Sequence, residues 1–355
     1  MAIPFDLHKS FQGERAKLCP APRIMGPFSI FPQTLSDEMR IRKHAMLAEL
    51  YNTVSMERMG TLHGEYVVLL NGLALMDREG TFIITGTDSG DLAHKAVLNH
   101  LGTLKTDFIT DLMQRWESIP MAHQVAVLSD RFEDNYYHFS LEVVPRQRHF
   151  DGHGIENVLI PESFIGKPFK RDLILRTVSG RVILLAHPMR VSDPFLVFGG
   201  VSADSIRWLR RRMNIAVRGG SKRYYIHRGS SLSRAGGAGG ILEDLHLKKF
   251  LDHFGFQTVD FGTGEYSIDE QVHMLEGAQI LLSAHGAHLT NMVYLNPPLT
   301  LIEILGPEMS NFAYLRIAKE LAFDYYGVMS HWVDDRGNIR VDCEELRKIM
   351  AEILS

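Results

Sequence analysis

Apolar and polar positions change rhythm along this chain. Between Tyr66 and Thr85, short β-rich runs (Tyr66–Leu70, Leu73–Met76, Thr81–Thr85) surround the turn pairs Asn71-Gly72 and Glu79-Gly80. That pattern predicts a small antiparallel meander. From Val125 onward short apolar runs alternate with helical spacing. Val125–Leu128, Val158–Ile160, Val182–Leu185 and Phe195–Phe198 read as strands, with Tyr136–Arg148 and Phe169–Thr177 as helices between them. A second series begins with a basic helix, Ser205–Val217. It continues as strand Arg223–His227, helix Leu242–Phe254, strand Phe256–Phe261 and helix Ser267–Glu276, and closes with helices Asn311–Leu321 and Asp342–Leu354. Alternation of this kind predicts α/β architecture with parallel sheets. Ahead of the meander, five prolines in residues 1–35 predict an extended arm, and Asp37–Leu50 a helix capped by Ser36; Asp91–Met113 predicts another helix.

The two βα series separate near residue 200. The expected architecture is two Rossmann-like domains facing across a cleft, with a small N-terminal β meander. Residues 1–200 form the N-terminal domain, 201–340 the C-terminal domain and 341–355 a terminal helix.

Within the second series one stretch is singular. Ile280–Leu282 leads into Ser283-Ala284-His285-Gly286-Ala287-His288, then Thr290 and Asn291; Leu299–Leu305 follows Pro297-Pro298. Strand, glycine turn, helix start and strand make a βαβ unit. Backbone N–H groups and the helix dipole at such a turn favour an anion, often a phosphate. Glu303 sits inside the second apolar run. A carboxylate at a strand end accepts both hydroxyls of a ribose; the alternative is an internal salt bridge. His285 and His288 lack a third ligand at a zinc spacing.

Composition narrows the function classes. The chain has 355 residues, 45% apolar and 23% charged, with a net charge of −4. That gives no global reason to expect nucleic acid as a partner. Two cysteines, Cys19 and Cys343, argue against a disulfide framework and for a reducing compartment. The first residues lack the apolar core of a signal peptide, and no run approaches the roughly 18 apolar residues of a membrane span. The expectation is a cytoplasmic protein, compatible with peripheral association at the inner face of a membrane, its oligomeric state open.

Two further constellations carry chemistry. In Asp134-Asn135-Tyr136-Tyr137-His138-Phe139-Ser140-Leu141-Glu142, His138 and Glu142 are i, i+4 on a helix and share a face. A histidine beside a carboxylate makes a general base; routine helix pairing is the plainer reading. Pro145 limits this helix and places Arg146 at a bend. The other constellation is basic. Most of its arginines read as a solvated helix face, but Arg228 directly follows a strand, where its planar fork suits a diphosphate. Gly229–Gly240, with five glycines and three serines, is then a phosphate loop or lid. It lacks the GxxxxGK[ST] pattern of P-loop enzymes, and the chain lacks the Asp-x-Asp of metal-dependent nucleotide-sugar chemistry.

These motifs together resemble glycosyltransferase family 61. The resemblance rests on Asn135-Tyr136-Tyr137-His138…Glu142…Pro145-Arg146, on Tyr225-Ile226-His227-Arg228, and on His285-Gly286-Ala287-x-Leu289-Thr290-Asn291…Ile302-Glu303-Ile304. It runs from about Tyr66 to Gly327. That group includes EGF-domain O-GlcNAc transferases, plant xylan xylosyl- and arabinosyltransferases and bacterial capsule-type enzymes. It implies a GT-B-like architecture and inverting, metal-independent transfer from a UDP-sugar to a hydroxyl of a carbohydrate acceptor, with no cofactor. Arg228, His285, Gly286, Ala287, Thr290, Asn291 and Glu303 then fall on the donor side. His138 and Glu142 become the catalytic candidates, equal contenders for the base, and Asn135, Tyr137 and Arg146 fall on the acceptor side. Two features depart from the family pattern: His288 stands where a small residue is usual, and the run after Arg228 is glycine-rich. The alternative these departures suggest is a catalytically inactive GT-B-like protein that binds nucleotide sugars or glycans.

Overall fold

A computed structural model of the chain describes residues 14–15, 58–69, 72, 74–80, 82–84, 106–129, 134–198, 201–215, 217–227, 245–261, 266–306, 313–332 and 339–355. Most of the proline-rich arm, the helix expected at 37–50, the start of that expected at 91–113, Arg228 and the loop 229–240 lie outside the described residues. The described residues divide into two compact units, those up to Met213 and those from Asn214 onward.

The first unit holds eleven short strands among its described residues: β1 (Glu14–Arg15), β2 (Arg58–Thr61), β3 (Glu65–Leu69), β4 (Ala74–Met76), β5 (Phe82–Ile84), β6 (Met121–Ala122), β7 (Val125–Val127), β8 (Asn157–Pro161), β9 (Arg181–Leu185), β10 (Met189–Ser192) and β11 (Phe195–Phe198). They form two sheets, ordered β1-β2-β11-β7-β8-β9 and β5-β4-β3-β10-β6. The meander is present as β3-β4-β5, all antiparallel. Gly72 at its first turn has φ 85°, and an added Cβ would lie 2.9 Å from the Ser129 Cβ, so only glycine fits. Successive residues of β3 serve two cores. Val67 and Leu69 face Leu112, Trp116 and Ile119 in and after the helix Thr106–Gln114. Tyr66 and Val68 face Val125, Val127, Leu159 and Leu196 of the other sheet. The strands β11, β7, β8 and β9 run parallel, with helical segments in the β7–β8 and β8–β9 connections. That is the βα series expected from the sequence. Strand β10, behind His187-Pro188, has too little apolar character to be legible.

Two readings need correction. Tyr136–Arg148 is not one regular helix but an α turn (Tyr136–His138), a π segment (Phe139–Val143) and a 3₁₀ segment (Val144–His149). Pro145 has no N–H to close an α-helical bond to Leu141, and the Val144 N–H instead reaches the Phe139 carbonyl, five residues back. The basic helix, Ala203–Met213, packs with this first unit by Ile206, Leu209 and Met213, past the boundary read at residue 200.

The second unit is built on β12 (Lys222–His227), β13 (Phe256–Asp260), β14 (Ala278–Ala284), β15 (Thr300–Leu305) and β16 (Asp324–Met329), with a small hairpin of β17 (His331–Trp332) and β18 (Ile339–Arg340). The five strands are parallel and ordered β13-β12-β14-β15-β16. Both faces are covered, which is why β15 is buried along its whole length. At the start of the sheet Gly220 would clash with Gly277 if it carried a Cβ (2.8 Å), so β12 and β14 begin backbone to backbone. Leu346 and Met350 of the last helix, Cys343–Leu354, belong to the core of this sheet with Phe250, Ile280 and Ile302. The terminal helix is therefore part of the unit. Strand order reverses between β12 and β14, and in open α/β sheets ligands bind beyond the strand ends at that point.

Candidate functional site

In the first unit the site residues surround the irregular helix. Asn135 opens it: its side-chain oxygen accepts the Tyr137 N–H at 2.9 Å, so the residue assigned to the acceptor side is a helix cap. His138 Nδ1 and Glu142 Oε2 lie 2.7 Å apart, with the side chains 29% and 24% exposed. An ionised carboxylate only accepts, so Nδ1 carries a proton and Nε2 of the neutral ring carries the lone pair. That is the arrangement of a general base held by its partner. Tyr137 is buried and stacks edge-on against the His138 ring at 5.2 Å. Arg146 is buried as well. Its Nη1 donates to the Ser129 carbonyl (2.8 Å) while the Ser129 hydroxyl donates to the Gly72 carbonyl (2.7 Å), tying the helix to the meander turn.

Lys170 was not singled out from the sequence. It is fully buried, with Nζ 5.3 and 5.5 Å from the Phe139 and Phe164 ring centres and 3.1 Å from Asp134 Oδ1. Burial pushes the Asp134 carboxyl up, but Lys170 and Lys167 outweigh it and hold the group below its usual range. The acid directly before the cap is thus anchored to the neighbouring helix, Pro168–Thr177.

In the second unit the site lies where β14 ends. The His285 N–H still pairs with the Ile304 carbonyl (2.9 Å), and the chain then turns through Gly286 into Ala287–Tyr294. This segment is a 3₁₀ helix, where an α-helix start is expected. Leu289 to Tyr294 are all buried, so it has no solvated side of the kind a surface α-helix keeps. Thr290 and Asn291 are wholly buried: the Thr290 hydroxyl is 3.4 Å from the Tyr314 hydroxyl, and Asn291 Nδ2 donates to Gln271 Oε1 at 3.0 Å. They brace the turn against two helices, Ala313–Glu320 and Ile268–His273.

Glu303 is fully buried on β15. One oxygen is 2.6 Å from His285 Nδ1 and the other accepts the Tyr325 hydroxyl at 2.7 Å. Both oxygens of this acid therefore have partners inside the unit, the His285 ring and the Tyr325 hydroxyl. Burial and the Glu303 charge push the Tyr325 phenol well above its ordinary range, so it stays a donor. His288, without a role in the sequence reading, has Nε2 2.7 Å from the Ser283 hydroxyl, which is 3.0 Å from the Ile226 carbonyl near the end of β12. The loop is thereby pinned to both strands at the reversal point. Ser283 and Tyr325 carried no signal in the sequence: each acts only through a partner far along the chain. Among the described residues no group of three or more His, Cys, Asp or Glu side chains is placed to hold a metal ion, and no helix is long and apolar enough to cross a membrane.

One matched segment takes in most residues of both sites, though not Asn135 or Glu303. Residues 136–302 match the family model described as Glycosyltransferase 61. The family resemblance read from the motifs is thereby shown over this stretch, which takes in the His138–Glu142 pair and runs to the middle of β15. A stretch of 103 residues is 28% identical to a protein named beta-1,2-xylosyltransferase from Arabidopsis thaliana. That alignment covers 29% of this chain and 19% of the plant protein, about a fifth of its length.

Proposed function

We propose that this chain is an inverting glycosyltransferase of the GT-B type that moves a hexosyl or pentosyl group from a UDP-sugar to a hydroxyl of a carbohydrate acceptor, of capsule or exopolysaccharide kind, without a metal. The observation that carries the reading is the family match spanning residues 136–302, with a held histidine at each end of it. His138 is the base: Glu142 fixes Nδ1–H, and Nε2 takes the acceptor hydroxyl proton as that oxygen bonds to the anomeric carbon. The bond from that carbon to the diphosphate breaks with inversion, and UDP leaves with the electron pair. Arg228 and the backbone N–H groups after His285 stabilise the charge on the diphosphate. The name of the plant relative supports a pentose among the candidate sugars. The chain acts in the cytoplasm, at or near the inner face of a membrane.

Purified protein incubated with a panel of nucleotide sugars tests this directly. Release of UDP, and a rise in melting temperature with UDP ligands over CMP and GDP ligands, is the expected result. Stabilisation by CMP or GDP alone overturns the donor class. Stabilisation by UDP with neither transfer nor hydrolysis supports the second reading, an inactive nucleotide-sugar binding protein. That reading is favoured by the glycine-rich run 229–240 after Arg228.

A further inference from the structure

We propose that Lys170 is a positioning residue for His138: its buried ammonium holds the helical turn that carries the histidine from both sides, through Asp134 before it and Phe139 after it. The inference rests on the reading of His138 as the base for the acceptor hydroxyl. Lys170 lies in the first turn of the helix Pro168–Thr177 and is wholly inaccessible. Its Nζ is 3.1 Å from Asp134 Oδ1, on the residue four ahead of His138, and 5.3 Å from the centre of the Phe139 ring, on the residue directly after it. The Phe164 ring centre, 5.5 Å away, closes the ammonium in. Phe169 extends the same hold, its ring meeting Tyr136 edge-on at 5.0 Å and Phe139 at 6.1 Å between centres. The first turn of one helix thus fixes residues on both sides of His138.

Burying an ammonium is costly, and apolar side chains of similar volume often replace a buried ion pair with no loss of stability. A methionine at 170 would fill much the same space against Phe139 and Phe164 without that cost. Fold stability therefore gives no reason for a lysine here. What an apolar side chain cannot do is hold Asp134. The chain has just entered the helix at that point: Asn135 caps it by accepting the Tyr137 N–H, and the α turn Tyr136–His138 gives way to the π segment at Phe139. A turn this short, set between a cap and a change of helical pitch, has few bonds of its own to fix its orientation. Lys170 supplies a tether from outside, at the residue preceding the cap, and Lys167 adds a second on the same oxygen at 3.2 Å. Base catalysis is sensitive to such placement, since a displacement of about 1 Å can cost about a hundredfold in rate.

Transfer kinetics, UDP calorimetry and urea unfolding of Lys170→Met test the assignment. The variant strands no buried charge, because the Asp134 side chain is 77% exposed. Its unfolding midpoint is expected at or above that of the wild-type chain, while kcat falls about tenfold or more and UDP affinity stays within about twofold. Lys170→Arg, which keeps a cation for Asp134, restores part of kcat. In the His138→Ala background Lys170→Met has no further effect on the residual transfer, because it acts through that histidine. Wild-type kcat in Lys170→Met overturns the proposal, and so does a loss that persists undiminished in the His138→Ala background. Where Lys170→Met loses stability or does not fold, Asp134→Asn carries the test, since it weakens the tether and leaves the lysine in place. A few-fold fall in kcat that is absent in the His138→Ala background supports the proposal, and an unchanged kcat overturns it. A wild-type chain that neither transfers nor hydrolyses any nucleotide sugar overturns the reading of His138 as the base. Nitrogen-15 spectra of the unliganded protein then decide the placement alone: a His138 Nδ1–H signal that shifts or broadens in Lys170→Met sustains it, and an unchanged signal overturns it.

Discussion

The chain holds two histidine–carboxylate pairs of nearly equal length, and it builds them by opposite means. His138 and Glu142 meet at 2.7 Å because they are four residues apart on one helical segment, and both side chains keep access to water. His285 and Glu303 meet at 2.6 Å because neighbouring parallel strands bring them together, and the carboxylate is sealed in the sheet with Tyr325 behind it. The first pair is a partly exposed, locally encoded device suited to taking a proton from a substrate. The second is a preorganised support whose acid does not reach the surface. The same two functional groups thus acquire different work from their burial and their second partner.

The largest effect that separates the two pairs is catalytic. His138→Ala removes the proposed base and is expected to lower transfer by about 10² to 10⁴-fold, the usual span for general base catalysis. UDP affinity, measured by calorimetry, stays within about twofold if the first pair serves the acceptor alone. Lost UDP binding in this variant would place His138 on the donor. Next in size is a contrast in stability. Removing one member of a buried pair costs about 3–5 kcal/mol, and of an exposed pair about 0–1 kcal/mol. Urea unfolding of Glu303→Leu is expected to show a cost in the first range, set against a cost in the second for Glu142→Gln. Equal shifts of the two midpoints would break the comparison, since burial would then not be what distinguishes the pairs.

The two pairs also differ in how far the sequence reveals them. His138 and Glu142 are legible because helical spacing alone puts them on one face, and Asn135 stands where a cap belongs. The family motifs marked His285, Thr290, Asn291 and Glu303 without revealing their geometry. Glu303 in an apolar run signalled a buried acid needing a partner, yet no local rule names His285 or Tyr325 as that partner. Thr290 and Asn291 fall on the donor side by the family resemblance alone, and no local pattern announces that their buried side chains meet Tyr314 and Gln271. The strand series was legible from continuous apolar runs. The π segment was not, since it follows from the missing N–H of Pro145 combined with packing on the Pro168–Thr177 and Ala203–Met213 helices.

A smaller effect probes the local pair through its cap. Asn135→Ala removes the oxygen that accepts the Tyr137 N–H and is expected to cost about 1 kcal/mol in urea unfolding. Because the cap sets the start of the turn bearing His138, kcat should fall with KM for the donor unchanged. An activity loss confined to the donor KM would separate the cap from the base.

The smallest expected effect concerns the acid just outside that cap. Burial opposes ionisation of Asp134, but Lys170 and Lys167 outweigh it and hold the carboxyl below its ordinary range, so its folded pKa lies under its unfolded one. A depressed carboxyl contributes stability that is fully present above the unfolded pKa and is lost as pH falls through the folded pKa. Asp134→Asn keeps an oxygen that can accept from Lys170 and removes only the charge. The wild-type advantage over this variant is therefore expected to be constant at neutral pH and to shrink as pH falls below the ordinary carboxylate range. It should also shrink in high salt, because the Asp134 side chain is 77% exposed and solvent screens its share of the pair. Denaturant midpoints of the two proteins measured between neutral and acid pH check this. A difference that grows toward acid pH would mean that the charge of Asp134 opposes folding, and that Lys170 is held by the Phe139 and Phe164 rings alone.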